Sequence, residues 1–382
     1  MAQLELIATS TFGLEALVAK EVKALGYKQV TVENGKVTFT ADENAICRTN
    51  LWLRTADRIR LKVGEFKATT FDELFEKTKA LPWPDILPAK ANFPVDGKSV
   101  KSTLFSISDC QAIVKKAVVE SMKKNYQTEW FKEDGPLYRI EVALLKDTAT
   151  LTIDTSGAGL HKRGYRLSGS GAPLRETLAA ALVLISRWEP DRTLIDPLCG
   201  SGTIPIEAAL IGQNIAPGMN RTFASEEWPN IPRDLWRNAR KETHDLANYS
   251  QKLDISGTDI SSEAIKTARR NAAKAGVEDS IHFQVRPLAE LSSKKKYGKL
   301  ICNPPYGERL GDIKEIEKLY REMGKSFKTL DTWSWYIITA YEDFERAFGK
   351  KASKRRKLYH GNIKVQYYQY FGPEPATKNK EG

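Results

Sequence analysis

The chain has 382 residues with 59 Lys and Arg against 48 Asp and Glu, a formal net charge of +11. That length leaves room for two or three domains, its 41% hydrophobic residues suffice for their cores, and its basic balance points to a polyanionic partner. No run of about 18 apolar residues occurs and no basic stretch precedes an apolar one at Met1-Ala2-Gln3-Leu4-Glu5, so neither a membrane span nor a secretory signal is expected, and the cytoplasm is the expected location.

In chain order, residues 1–65 alternate strand-like and helix-like segments. Leu4-Glu5-Leu6-Ile7-Ala8 reads as a strand, 14–25 as an amphipathic helix stopped at Gly26, and 30–32 and 37–39 as strands joined through the hairpin signal Asn34-Gly35. The pattern resembles a small ferredoxin-like domain. A second α+β unit is expected over 66–155, with helices over 70–81 and 108–124 and strands over 104–107, 138–145 and 148–154. Gly- and Ser-rich stretches at 156–159 and 168–171 bracket the basic segment His161-Lys162-Arg163-Gly164-Tyr165-Arg166, and 156–172 reads as a linker. A helix over 174–188 then opens a third unit, 173–382. Strands are expected there at 193–195, 255–257, 281–285, 299–302, 335–339, 358–359 and 363–371, separated mostly by helical stretches. Seven strands in that pattern give a doubly wound α/β sheet whose last strand returns antiparallel through Gly361-Asn362. The long connection 212–248, with Trp228, Pro229, Pro232 and Trp236, is either a cap over the site or a cover for the sheet.

Three strand-end motifs carry the chemistry. Thr193-Leu194-Ile195-Asp196-Pro197-Leu198-Cys199-Gly200-Ser201-Gly202-Thr203 is an apolar strand, a tight glycine loop and a helix start, the first βα turn of a doubly wound sheet. It is neither Gly-x-Gly-x-x-Gly nor a Walker loop, since no Lys follows the second glycine. Asp259-Ile260 ends the next strand with a carboxylate placed for ribose hydroxyls. After the strand at 299–302 comes Asn303-Pro304-Pro305-Tyr306-Gly307-Glu308-Arg309-Leu310. An Asn-Pro-Pro-aromatic turn aims two acceptors, the Asn side-chain oxygen and the first Pro carbonyl, at one planar NH2 while the ring stacks on its base; the second proline stiffens the turn.

Together these motifs resemble class I S-adenosylmethionine-dependent methyltransferases, and the full set is similar to the THUMP-domain RNA guanosine-N2 methyltransferases, nearest to those modifying large-subunit ribosomal RNA. The resemblance covers essentially the whole chain. It implies a THUMP RNA-binding domain over 66–155 and S-adenosylmethionine as cofactor. It also implies that Asp196, Gly200, Gly202 and Thr203 line the methionine end, that Asp259 and Ile260 hold the ribose, and that Asn303, Pro304, Pro305 and Tyr306 hold the target guanine. The chain departs from the pattern in one place. Many class I enzymes carry an Asp just after the third strand, whereas this one reads Arg286-Pro287-Leu288-Ala289-Glu290, leaving the adenine contact open between backbone, Glu290 and another group.

The expected partner is RNA, ribosomal RNA or an assembling particle, with Lys115, Lys116, Lys162, Arg163, Arg166, Lys354, Arg355 and Arg356 as candidate contacts. No metal is expected: the four cysteines, Cys47, Cys110, Cys199 and Cys302, form no Cys-x-x-Cys pair, and a methylsulfonium is already an activated donor. Cys302 reads as a small buried strand residue rather than a nucleophile. Asn303 and the Pro304 carbonyl would bind the two N2 protons of an unpaired guanosine and stabilise developing charge. Adenine-N6 methylation, protein glutamine methylation and an RNA-binding assembly factor with a vestigial site are the rival readings. The oligomeric state is not readable from the sequence.

Overall fold

The structure, a computed structural model, describes residues 3–166, 174–306 and 313–375. The expectations on Gly307-Glu308-Arg309-Leu310 and on the second Gly/Ser stretch lie outside the described residues. The chain divides into two compact units, one of Met1–Ser10, Glu15–Leu160 and Arg221–Asp245, the other of Thr11–Leu14, His161–Asn220 and Leu246–Gly382.

The first unit is built on one seven-stranded sheet of β1 (Leu4–Thr9), β2 (Val30–Glu33), β3 (Lys36–Ala41), β4 (Arg58–Lys67), β5 (Val95–Val100), β6 (Ile140–Leu145) and β7 (Thr148–Asp154), in the order β2-β3-β1-β4-β7-β6-β5. The two segments read separately from the sequence therefore share a continuous sheet, joined where β4 pairs antiparallel with β7 across a bulge between Lys62 and Gly64. The strand expected over 104–107 is absent. Ser106 instead sits extended at the N-cap of helix Ile107–Tyr126, and the strand forms earlier, at Val95-Asp96-Gly97-Lys98-Ser99-Val100. Its Asp, Gly and Lys carry no strand signal, and pairing with β6 overrides that weak propensity. Within the connection 212–248, for which a cap and a sheet cover were both open, Arg221–Asp245 belongs to this unit, where Trp228 stacks on Tyr138 at 4.3 Å and Trp236 on Phe223 at 5.4 Å.

The second unit carries β8 (Leu194–Asp196), β9 (Ile255–Asp259), β10 (Ile281–Val285), β11 (Lys299–Cys302), β12 (Ser334–Thr339), β13 (Lys354–His360) and β14 (Ile363–Tyr370), in the order β10-β9-β8-β11-β12-β14-β13. β8 to β12 are parallel and β14 runs antiparallel to β12, the expected doubly wound arrangement. The chain moves outward from β8 to β10, then returns to place β11 on the other side of β8. That reversal opens a crevice at the carboxyl ends of β8 and β11, where ligands bind in such sheets. Both faces are covered: Ile204, Ile206, Ala268 and Ala272 pack in one apolar cluster with Phe283 and Ile301, and Met323, Phe327, Phe344 and Phe348 in another with Leu300 and Ile337.

Candidate active site

Strand order brings the three motifs to one edge. β9, β8 and β11 are adjacent, so Asp259, Asp196 and Asn303 stand at or just past three neighbouring carboxyl ends. The glycine loop after β8 is held from several sides: Cys199 N–H donates to the Thr258 carbonyl at 2.9 Å, and Asn271 Nδ2 to the Ser201 carbonyl at 3.0 Å. Gly202 has φ +81° and caps helix Thr203–Gly212; an added Cβ would stand 2.9 Å from both Ala268 Cβ and Phe283 Cζ. Gly200 has φ +50° but meets nothing within 4 Å, so its backbone borders open space where a ligand can approach.

The two carboxylates differ in environment. Asp259 accepts from Gly200 N–H at 3.0 Å and from Ser261 N–H at 2.9 Å, which fixes its plane and leaves further lone pairs for hydroxyl donors. Asp196 is 1% exposed and accepts from Leu198 N–H at 3.2 Å. Burial pushes its carboxyl well above the usual range, and the nearby Asp259 charge adds to this. A buried carboxylate so disfavoured is stabilised by a cationic ligand. These features fit S-adenosylmethionine: Asp196 opposite its positively charged methionine end, Gly200 open to it, Asp259 ready for a diol. Ile260, directly after Asp259, is an apolar side chain left 76% exposed. Of the candidate adenine contacts, Glu290 lies 3.9 Å from Arg286 Nε, an ion pair along the same turn.

At the Asn303 turn the side-chain oxygen is already engaged, and so is the Pro305 carbonyl. Tyr306 Oη donates to Asn303 Oδ1 at 2.5 Å, and Tyr320 Oη donates to the Pro305 carbonyl at 2.8 Å while sharing a hydrogen bond with Thr339 Oγ1 at 2.9 Å. Because an amide oxygen carries two lone pairs, Asn303 can hold Tyr306 and still accept an amine proton. Tyr306 also meets His360 of β13 edge to face, centroids 6.3 Å apart at 87°. Neither His360 nor Tyr320 is marked by any local sequence signal; His360 arrives through sheet order and Tyr320 on the helix Ile313–Phe327. Cys302 is fully buried and its thiol is pushed well above the usual range by burial, then by Asp196, so it stays protonated, as its strand position implied.

The basic candidates separate. Arg163 is buried against Glu207 at 3.4 Å, where Tyr165 Oη also donates at 3.1 Å, which corrects its reading as an RNA contact. Arg166 donates to Glu176 at 2.8 Å, to the Leu174 carbonyl at 2.7 Å and to Thr203 Oγ1 at 3.2 Å, bracing the start of the glycine-loop helix. Lys115 pairs with Glu133 at 2.6 Å and Arg356 donates to the Gly13 carbonyl at 2.6 Å, so both are structural too. Arg355 is exposed but paired bidentately with Glu345. Lys116, Lys162 and Lys354 are exposed. Among the described residues no group of three or more His, Cys, Asp or Glu is poised to hold a metal, and no helix is long and apolar enough to cross a membrane.

The RMKL-like methyltransferase domain family matches residues 163–369, the RlmL ferredoxin-like domain residues 5–60 and the THUMP domain residues 68–154. The chain is 54% identical, over all of both sequences, to a Bacillus subtilis (strain 168) protein provisionally named RNA methyltransferase YpsC. It is 33% identical to the ribosomal RNA large subunit methyltransferase K/L of Syntrophotalea carbinolica, matching along its own full length and over 56% of that protein. Among solved structures, a predicted N6-adenine-specific DNA methylase from Listeria monocytogenes superposes with TM-score 0.94 and 58% identity, covering 98% of this chain and 97% of that one. The provisionally assigned methyltransferase SMU.472, solved with SAH, superposes with TM-score 0.93 and 47% identity, covering 98% and 100%.

Proposed function

Because the chain belongs to the RMKL-like family of RNA methyltransferases and takes S-adenosylmethionine as cofactor, we propose that it methylates the exocyclic N2 amine of a guanosine in RNA, most specifically in 23S ribosomal RNA. The observation that carries the reading is the Asn303-Pro304-Pro305-Tyr306 turn at the end of β11, beside the glycine loop of β8, with the Asn303 oxygen oriented by the Tyr306 hydroxyl.

The cofactor supplies a methyl group already activated on a sulfonium. Asp196, Gly200, Gly202 and Thr203 hold its methionine end, and Asp259 with Ile260 its ribose. Asn303 Oδ1 and the Pro304 carbonyl accept the two protons of the target amine. Guanine N2 is a poor nucleophile because its lone pair is delocalised, so acceptors that favour rehybridisation and stabilise growing positive charge lower the barrier, and in-line placement supplies much of the rest. Tyr306 stacks on the base, whose amine is reachable only when unpaired or flipped out. The proposed organisation is a ferredoxin-like domain over 1–65, a THUMP RNA-binding domain over 66–155, a linker over 156–172 and a catalytic domain over 173–382, working in the cytoplasm. Lys116, Lys162 and Lys354 are the proposed phosphate contacts.

Nucleoside mass spectrometry of RNA from cells lacking the gene, after incubation with protein and cofactor, tests the reading. N2-methylguanosine is expected. N6-methyladenosine would transfer the same turn to adenine, the specificity in the Listeria protein's description, and no methylated nucleoside would overturn RNA methylation here.

A further inference from the structure

Residues Thr11–Leu14 belong to the second compact unit although the residues on either side of them belong to the first. They lie against the outer strand β13. Gly13 has φ +92°, and a Cβ there would meet the Lys357 carbonyl at 2.9 Å, so only glycine permits this approach. Arg356 closes the contact by donating to the Gly13 carbonyl at 2.6 Å. The held segment nevertheless presents Phe12 outward, 55% exposed. Its ring stands edge-on to Tyr359, centroids 6.1 Å apart at 67°, and Lys357 Nζ lies 5.3 Å from the Tyr359 centroid.

The strand register carries this group past the edge of the sheet that bears Asn303. β12 ends at Thr339, opposite Gln366, but the β13–β14 hairpin continues through Val365 with Leu358, Lys364 with Tyr359 and Ile363 with His360. Three further residues at about 3.3 Å each carry its tip roughly 10 Å past the carboxyl edge of the sheet, the edge that bears Asn303. His360, next to Tyr359, is the residue that meets Tyr306. Two aromatic rings, neither spent in the core, thus stand one residue from His360, on the opposite face of a hairpin whose Lys354, Lys357 and Lys364 are exposed, where the RNA strand leaving the amine-binding turn over the hairpin tip can reach them.

We propose that Phe12 and Tyr359 form a stacking platform for the unpaired nucleotides flanking the methylated one, with Lys357 and Lys364 against their phosphates. Exposed aromatics beside cations suit single-stranded RNA, because every base offers a π face and every linkage a charge. The platform rests on the RNA-methylation reading and adds to it that a residue near the N-terminus positions the substrate of the C-terminal domain.

The test is steady-state methylation of RNA from cells lacking the gene, with calorimetric titration of SAH as a control. Phe12→Ala and Tyr359→Ala are each expected to raise the RNA KM about tenfold with kcat and SAH affinity close to wild type, as loss of one stacked base implies. Phe12→Trp should restore the wild-type KM and Phe12→Leu should not, which separates stacking from packing. A wild-type KM in Phe12→Ala, or full rescue by Phe12→Leu, overturns the platform while leaving the activity intact. Failure of the wild-type protein to methylate any RNA overturns the activity and the platform together.

Discussion

Alanine at Gly202, Gly200 and Gly276 separates backbone strain, close packing and ligand approach. All three glycines have positive φ, at +81°, +50° and +72°, so alanine costs each about 1–2 kcal/mol of left-handed strain. Only at Gly202 does the new methyl collide with packed atoms, Ala268 Cβ and Phe283 Cζ, each 2.9 Å away, which adds about 1–3 kcal/mol of overpacking. Gly202→Ala is therefore expected to lose about 2–5 kcal/mol, a Tm lower by roughly 4–20 °C for a unit of this size. Gly200→Ala and Gly276→Ala should lose only the smaller strain and melt alike. Their affinities for SAH should nevertheless part: the Gly200 methyl enters the space beside Asp259, whereas Gly276 terminates helix Ser262–Ala275 away from that loop. Thermal unfolding of the three variants, followed by calorimetric titration with SAH, decides the matter. A Gly202→Ala protein as stable as Gly276→Ala would refute the close packing at Gly202, and a Gly200→Ala protein that binds SAH at full strength would refute the placement of the cofactor along this loop.

Asp259→Ala should weaken cofactor binding at least about tenfold, since hydrogen bonds to a charged acceptor are worth about 1.5–3 kcal/mol; unchanged calorimetric affinity in a folded variant would remove Asp259 from the site. Asp196 has a folded-state pKa raised by burial, so its ionisation opposes folding as pH rises above the ordinary carboxylate range; Asp196→Asn should raise the neutral-pH Tm of the cofactor-free protein while weakening S-adenosylmethionine, and a lowered Tm would contradict the assignment. Asn303→Ala should reduce the single-turnover rate about 10²–10³-fold with cofactor affinity preserved, by analogy with loss of one preorganised charge-stabilising group. Tyr306→Phe, mild if only the ring mattered, should instead cost about fivefold in rate, because the hydroxyl that orients Asn303 is worth about 1 kcal/mol; full activity would show that hydroxyl to be idle.

The catalytic sheet was legible because its signals are local. Each of Asp196, Asp259 and Asn303 follows a short apolar strand, and a parallel sheet then has few ways to arrange them, so motif order alone foretold their meeting at one edge. The N-terminal half was harder for the opposite reason. β5 holds Asp, Gly and Lys in six residues and exists because β6 offers it a ladder, a long-range cause that no window of sequence contains. The same holds for Thr11–Leu14, four residues whose place is set by a strand some 340 positions away. For residues 212–248 the sequence leaves the assignment open, because tryptophans and prolines announce a structured segment without saying which unit it completes.

The basic candidates show where a charge argument stops. A net charge of +11 supports a polyanionic partner in the mean, yet Arg163, Arg166, Lys115 and Arg356, four of the eight residues chosen from it, are spent on carboxylates or carbonyls inside the fold. Clustering did not distinguish the two uses, since His161–Arg166 looks equally basic whether its arginines face solvent or Glu207. The distinguishing feature is the acid about one turn into a neighbouring apolar helix: Glu207 stands alone among Thr203-Ile204-Pro205-Ile206 and Ala208-Ala209-Leu210. A lone carboxylate in so apolar a stretch needs a buried cation, because an unpaired charge there is costly and a paired one tolerable. The acid that demands a partner assigns at least one arginine of this segment to the core, and among the eight candidates Lys116, Lys162 and Lys354 are lysines with exposed side chains.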